Sequence, residues 1–385
     1  MRLKWIFIIS ILSTASVGSG QDSAETKKKW EWSGYIKNLE SLSFDKMFDN
    51  LISGNLIHNR MNFKWKPTGS ITAAAEFRNR LFWGEEVRTT PQFARLLRNE
   101  NEKLNLQKAW IAKEAFVLHT NVERLNLDYR GAKVNARVGR QRINWGIATT
   151  WNPNDIYNAY NFLDFDYEER PGIDGAKVQY NFSNSFNTEV AYTQTGKKNG
   201  NVAAIKYSYN KWNYDMQLIT GWYKDHPTLG AGWAGYIKDA GFKGEVQYFF
   251  RTRDSTDHLN LVMESDYMFK KGWYVNAGFL FNNLGLTNPV ANWDSINLKL
   301  SPENLMPTKW NLIVSSSREF TPLISAQISV LYAPGTNLVI LLPSFQYNMA
   351  TNLDINLVWQ SFFTETTNRF EAVNHRCFLR MKWSF

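Results

Sequence analysis

Cysteine is nearly absent from the chain, with Cys377 alone among 385 residues, so no internal disulfide can form and no zinc-type Cys/His spacing exists. Histidine is scarce as well. Of His58, His119, His226, His258 and His375, none stands beside a serine in a nucleophile motif. Beyond the run Trp5 to Leu12, no stretch approaches the roughly 20 apolar residues that a membrane-spanning helix needs. A phosphate-cradling glycine loop and nucleic-acid motifs are also missing. These absences remove the disulfide scaffolds, the helical membrane proteins, the zinc enzymes and the nucleotide-binding folds.

What the chain has in quantity is aromatic residues, 16 Trp, 17 Tyr and 25 Phe, spread along its length, and a formal charge of +9. Arg2 and Lys4 precede the first apolar run and small residues follow through Gly18-Ser19-Gly20, so residues 1–20 read as a secretory signal peptide cleaved near Gln21. No cysteine at that point suggests a lipid anchor. Residues 21–29 read as a flexible tail, and 30–385 as one domain without repeat or linker. A basic chain that leaves the cytoplasm meets anionic lipid or anionic solutes and not nucleic acid.

The periodicity that follows is one of two residues, not 3.6. In the last ten residues Cys377, Leu379, Met381, Trp383 and Phe385 alternate with Arg376, Arg380, Lys382 and Ser384, the pattern of a strand with one fatty and one wet face. Between Ser70 and Trp83, Ile71, Ala73, Ala75, Phe77, Leu81 and Trp83 share one face, and Thr72, Glu76, Arg78 and Arg80 the other. Runs of this kind predict eighteen antiparallel strands, with sixteen as the fallback. Links after even-numbered strands are brief, such as Pro67-Thr68-Gly69 and Arg130-Gly131. Those after odd-numbered strands are mostly longer, notably 84–116, 145–174 and 285–308. That alternation belongs to an all-β transmembrane barrel with short periplasmic turns and long outer loops, its aromatic residues forming girdles at the two membrane interfaces. The aromatic end at Phe385 resembles the closing strand of bacterial outer-membrane barrels, and so sets the expected compartment. In the first long loop, Phe93, Leu96, Leu97, Glu100 and Leu104 predict a short amphipathic helix that packs.

Charge on a lipid face costs about 2–4 kcal/mol per residue near mid-membrane, so charged residues should face the lumen. The expected lumen set includes Arg78, Arg80, Arg124, Arg137, Lys177, Lys206, Arg376 and Arg380, with Glu189, Glu245 and Glu264 among the anions. Cations are in surplus, which favours anionic solutes, although cross-strand ion pairs explain the same residues without transport.

The sharpest local signal is Gly139-Arg140-Gln141-Arg142, Trp145-Gly146, then Asn152-Pro153-Asn154-Asp155, followed by the acidic stretch Asp164, Asp166, Glu168 and Glu169. At Gly139, Arg140, Gln141, Trp145, Gly146, Asn152, Pro153 and Asp155 the chain resembles the alginate-export porins and related large porins. The resemblance covers about thirty residues and leaves the substrate open. It implies a loop that folds into the pore, setting Asp164, Asp166, Glu168 and Glu169 against Arg137, Arg140 and Arg142, with Arg78 and Arg80 completing a cationic wall. The acidic stretch is also a candidate Ca²⁺ site, though it lacks EF-hand order. No other cofactor is expected.

The expected function is passive diffusion of small hydrophilic, anionic solutes through an outer-membrane porin, in contact with membrane lipid and lipopolysaccharide. A non-conducting accessory barrel bound to outer-membrane protein partners is the alternative. A hydrolase built on His119 with Glu123, or on His226 with Asp225, is a third.

Overall fold

The computed structural model describes residues 28–45, 49–99, 102–158, 162–165, 171–251, 256–290, 300–366 and 369–385. The signal peptide and most of the expected tail lie outside these residues, as do Asp166, Glu168 and Glu169. The strands are β1 (Trp30–Asp45), β2 (Asp49–Trp65), β3 (Ile71–Gly84), β4 (Gln107–Lys113), β5 (Phe116–Arg130), β6 (Val134–Gln141) and β7 (Ile173–Ser183). Next come β8 (Phe186–Gln194), β9 (Val202–Lys211), β10 (Tyr214–Tyr223), β11 (His226–Ile237), β12 (Ala240–Phe249) and β13 (His258–Met268). The last are β14 (Trp273–Asn282), β15 (Trp310–Thr321), β16 (Ile324–Ala333), β17 (Leu338–Ala350), β18 (Leu353–Thr366) and β19 (Arg369–Ser384).

Neighbouring strands pair antiparallel, and β19 pairs with β1 from Tyr35↔Ser384 to Phe44↔His375, so the sheet closes on itself. Closure at the seam leaves neither β1 nor β19 as an edge. The seam is tight where Gly34 and Phe385 exchange backbone hydrogen bonds of 2.9 Å in both directions. The wall is the eighteen-stranded barrel that the alternation predicts, with β4 as an extra piece. The extra strand has a geometric cause. β6 pairs only with the lower part of β5, from Leu125 to Arg130, and then the chain turns inward; β4 pairs with the upper part of β5, from Phe116 to Asn121, and takes the place that β6 vacates.

All links at the termini end of the barrel are short, whereas those at the other end vary: Lys224-Asp225 alone joins β10 to β11. Of the helix expected over 93–104, in which Glu100 lies outside the described residues, the described part forms one turn, α2 (Phe93–Leu96), after a similar turn, α1 (Glu85–Thr89). Past Leu97 the backbone is claimed by other partners: Asn99 N–H donates to Gln107 Oε1 at 3.1 Å, and the N–H groups of Lys103 and Leu104 donate to Asp174 Oδ2 at 2.8 Å. Those bonds align the segment for β4.

Sidedness is inside-out, as the cost of charge in lipid requires. Leu125, Leu127, Val138, Val178, Val190, Ile205, Leu312, Val314, Leu357, Leu379 and Met381 are exposed, while Lys37, Arg60, Glu123, Arg140, Glu189, Glu245 and Glu264 are buried. One bulge resets the alternation. Glu76 pairs with Arg124 and Phe77 with Val122, so β5 carries an extra residue there, and both Glu123 and Arg124 reach the arginine cluster on the inner face.

The lumen itself holds two apolar clusters. Trp151, Leu163, Leu305 and Met306 from the long loops pack on Val262, Leu280, Ile313, Leu331 and Ile340 of the wall. Ile143, Trp145, Ile156 and Tyr157 pack on Ala191, Val202, Ala204, Ile219 and Phe249. The loop end of the lumen is therefore filled over β8–β18, and space remains beside β1–β3 and β19.

Candidate functional site

The site begins where β6 leaves the wall. Gly139 sits at φ +109°, and a Cβ there would lie 2.2 Å from the Leu125 carbonyl, so no other residue fits. Gln141, wholly buried, donates from Nε2 to the carbonyls of Arg137 (3.2 Å) and Gly175 (3.1 Å) and pins the last turn of β6 to β7. Arg140 between them is also buried. Its Nε and Nη2 each donate to Asp174 at 2.9 Å, its Nη1 contacts Glu102 at 2.9 Å and the Val122 carbonyl at 3.0 Å, and Nη2 also reaches the Leu104 carbonyl. Such a bidentate fork is rigid as well as strong. Arg140 thus staples the segment before β4 to β5 and β7.

From Arg142 the chain crosses the lumen, where each buried backbone N–H needs a partner. The wall supplies carboxylates. Glu245 of β12 accepts from Ile147 N–H, from Ala148 N–H at 2.6 Å and from Asn154 N–H at 2.9 Å, and Glu264 of β13 accepts from Thr149 (2.6 Å) and Thr150 (2.8 Å). Trp145 donates through Nε1 to Glu189 of β8, and its carbonyl accepts from Gln217 of β10 at 2.7 Å. Gly146 lies against the Asn152 side chain, where a Cβ would fall 2.6 Å away, and Asn152 donates to the Ala148 carbonyl. Pro153 occupies the following turn, and Asp155 caps it by accepting Trp145 N–H at 3.3 Å. On β11 the gap left by Gly230 and Gly232 admits Asn154, which donates to the Ala231 carbonyl at 2.8 Å. Farther on, Gln360 of β18 donates to the Leu163 carbonyl at 2.9 Å, and Phe165 ends over Arg380 (4.7 Å to the ring centre) and beside Phe378 (5.7 Å).

Phe165 borders three cavities. One of about 470 Å³ lies toward the loop end, lined by Arg78, Arg80, Arg376, Glu86 and Asp164 among aromatic rings that include Phe82 and Phe378. Two more, of about 350 and 730 Å³, lie along β14–β18 and run toward the short-turn end. Glu86, on α1, has its carboxyl raised above the ordinary value by burial, with Arg376 pulling it back.

The sequence expectation that Arg137, Arg140 and Arg142 oppose the acidic loop is therefore corrected in part. Arg140 faces Asp174 and Glu102, and Arg137 pairs with Asp128 on β5 at 2.9 Å; Arg142 is half-buried where the chain turns inward. The cations that share a cavity with Asp164 are Arg78, Arg80 and Arg376. Arg78 lies 3.6 Å from Glu123, and Arg80 is 3.3 Å from His119 Nδ1. His226 stands 3.2 Å from Asp225 in the tight turn between β10 and β11. Of the suggested Ca²⁺ ligands only Asp164 is described, and no group of three or more ligand residues forms among the described residues. Sequence reasoning placed Glu189, Glu245 and Glu264 in the lumen but missed that they hold the loop; three acids on inward faces opposite a loop rich in turn residues were the available signal.

No protein-family model and no curated protein matches the chain. Solved structures do. OprD, an outer-membrane protein of Pseudomonas aeruginosa, superposes with a TM-score of 0.61 at 9% identity, covering 95% of this chain and 97% of that one. OpdK of Pseudomonas aeruginosa, solved with vanillate, gives 0.60 at 9% identity, covering 93% and 99%. OccAB4 of Acinetobacter baumannii gives 0.58 at 10% identity, covering 94% and 99%. These are OprD and Occ outer-membrane porins, not alginate-export porins, and at such identities what this chain shares with them is the fold of an outer-membrane porin barrel.

Proposed function

We propose that the protein is an outer-membrane porin, exported by its signal peptide, through which small hydrophilic solutes diffuse passively, anions foremost. The observation that carries this reading is the run of cavities meeting at Phe165, one lined by Arg78, Arg80 and Arg376 and the others continuing toward the short-turn end. A water-filled path in a barrel of this size needs no energy source, and arginines lining one of its cavities favour anions. The fold likeness to OprD and OpdK supports the same reading; the alginate-export resemblance stays confined to its eight positions, which serve here to hold the loop. Single-channel recording of the refolded protein across a salt gradient tests it. Discrete steps with an anion-selective reversal potential are expected, and a folded barrel that never conducts would overturn the proposal. The second outcome would favour an accessory barrel, a reading to which the two apolar clusters in the lumen lend weight.

A further inference from the structure

The lumen is charged almost everywhere except along one stretch of wall. Around β1–β5 its inner face carries Lys37, Arg60, Glu76, Arg78, Glu123 and Arg124, and around β7–β13 Lys177, Glu189, Lys206, Lys243 and Asp266. From β14 to β18 the middle of the inner face changes character, although nearer the short turns Arg318, Glu319 and Arg380 line the larger cavity. The cavity of about 350 Å³ between this wall and the inward loop is lined by hydroxyls and amides, Ser315, Ser317, Ser329, Ser344, Gln327 and Asn276, with Tyr274, Phe162 and Phe165 as its rings and Ile313, Leu342 and Val358 between them; among the described residues none of its lining is charged. It shares Tyr274, Ser317, Gln327 and Ser344 with the cavity of about 730 Å³ below it. Both volumes fall in the range of about 300–1,000 Å³ typical of small-molecule sites.

A second observation points to a ligand. Asn276 is only 4% exposed, lines the cavity, and neither atom of its amide has a hydrogen-bond partner among the described residues. Gln360, 3% exposed, spends Nε2 on Leu163 and leaves Oε1 without one. Leaving such buried groups unpaired is unfavourable, so a solute that enters the chamber and bonds them is held. Hydroxyls and amides both donate and accept, which suits a partner that does the same, and flat rings suit its C–H faces.

We propose that the chamber under Phe165 is a binding station for an uncharged polyhydroxylated solute, a sugar or alditol of about monosaccharide size. As a station on a transport path the proposal rests on the porin reading; as a binding site it is tested without it. Calorimetric titration of the detergent-folded barrel with mannitol should show saturable binding, and triethylene glycol, neutral but with few hydroxyls, should show none. Combining Asn276→Leu with Gln327→Leu should weaken mannitol binding about tenfold, the effect of two lost hydrogen bonds. No saturable binding, equal binding of triethylene glycol, or an unchanged double variant would overturn the proposal. Should that variant fail to give a heat-modifiable folded band, Ser317→Ala with Ser344→Ala carries the same test. Salt conductance of the same preparation decides the porin reading separately: mannitol binding by a barrel that does not conduct would keep the site and discard the path.

Discussion

Arg140 and Arg376 are both arginines on the inner face of the barrel, yet their surroundings give them different work. Arg140 is sealed between Asp174 and Glu102, so its removal would leave two buried carboxylates without their cation. Breaking such a pair costs about 3–5 kcal/mol, and Arg140→Gln should therefore lower the unfolding midpoint in urea. It should leave ion selectivity near that of the parent protein. Arg376 lines the cavity beside Asp164 and Glu86. Arg80→Ala with Arg376→Ala should shift the reversal potential toward cations with little loss of stability. Glu86 adds a pH dependence. Because burial raises its folded-state value, it takes up a proton at a pH above the ordinary carboxylate range, and as pH falls through that window the cavity loses a negative charge while its arginines keep theirs. Anion preference should rise on acidification, and Glu86→Gln should show the acidic level of selectivity at all pH values in a reversal-potential series.

At the scale of elements, the inward loop is held mainly by wall carboxylates that accept its backbone N–H groups. Glu245 and Glu264 carry most of that burden between Ile147 and Asn154. Their double replacement by alanine should release the loop and raise single-channel conductance, whereas a rigid plug held by its apolar clusters alone would leave the step size unchanged. β4 belongs to the same arrangement. A wall strand that turns inward leaves a gap, and a strand from the preceding loop closes it through Asp174, Arg140 and the β4–β5 pairing. The one-turn α2 follows from this, since the residues beyond it are drawn into the wall despite their helical spacing.

At the scale of the whole molecule, closure is the decisive event, and it concentrates at the β1–β19 seam. A Cβ on Gly34 would fall 2.2 Å from the Arg60 carbonyl and 2.9 Å from the Phe385 ring. Gly34→Val should prevent the heat-modifiable barrel from forming, as seen by gel mobility of boiled and unboiled samples. The polarity of the wall needs no such fine fit, because lipid outside and water inside impose it on each strand.

Period-two alternation of Leu379, Met381 and Trp383 against Arg380 and Lys382 sufficed to give the strands, their sidedness and their number, because the energy of a charged residue in lipid acts on each residue separately. The motif from Gly139 to Asp155 likewise marked where the chain leaves the wall. Which arginine meets which carboxylate was not legible. Arg140 and Asp174 are 34 positions apart, and Glu245 lies about a hundred residues beyond the amides it holds. Those pairings, the β5 bulge that turns both Glu123 and Arg124 inward, and the uncharged chamber along β14–β18 depend on barrel closure. Closure brings strands from the two halves of the chain to face one another across a single lumen, and only in that geometry do their side chains meet.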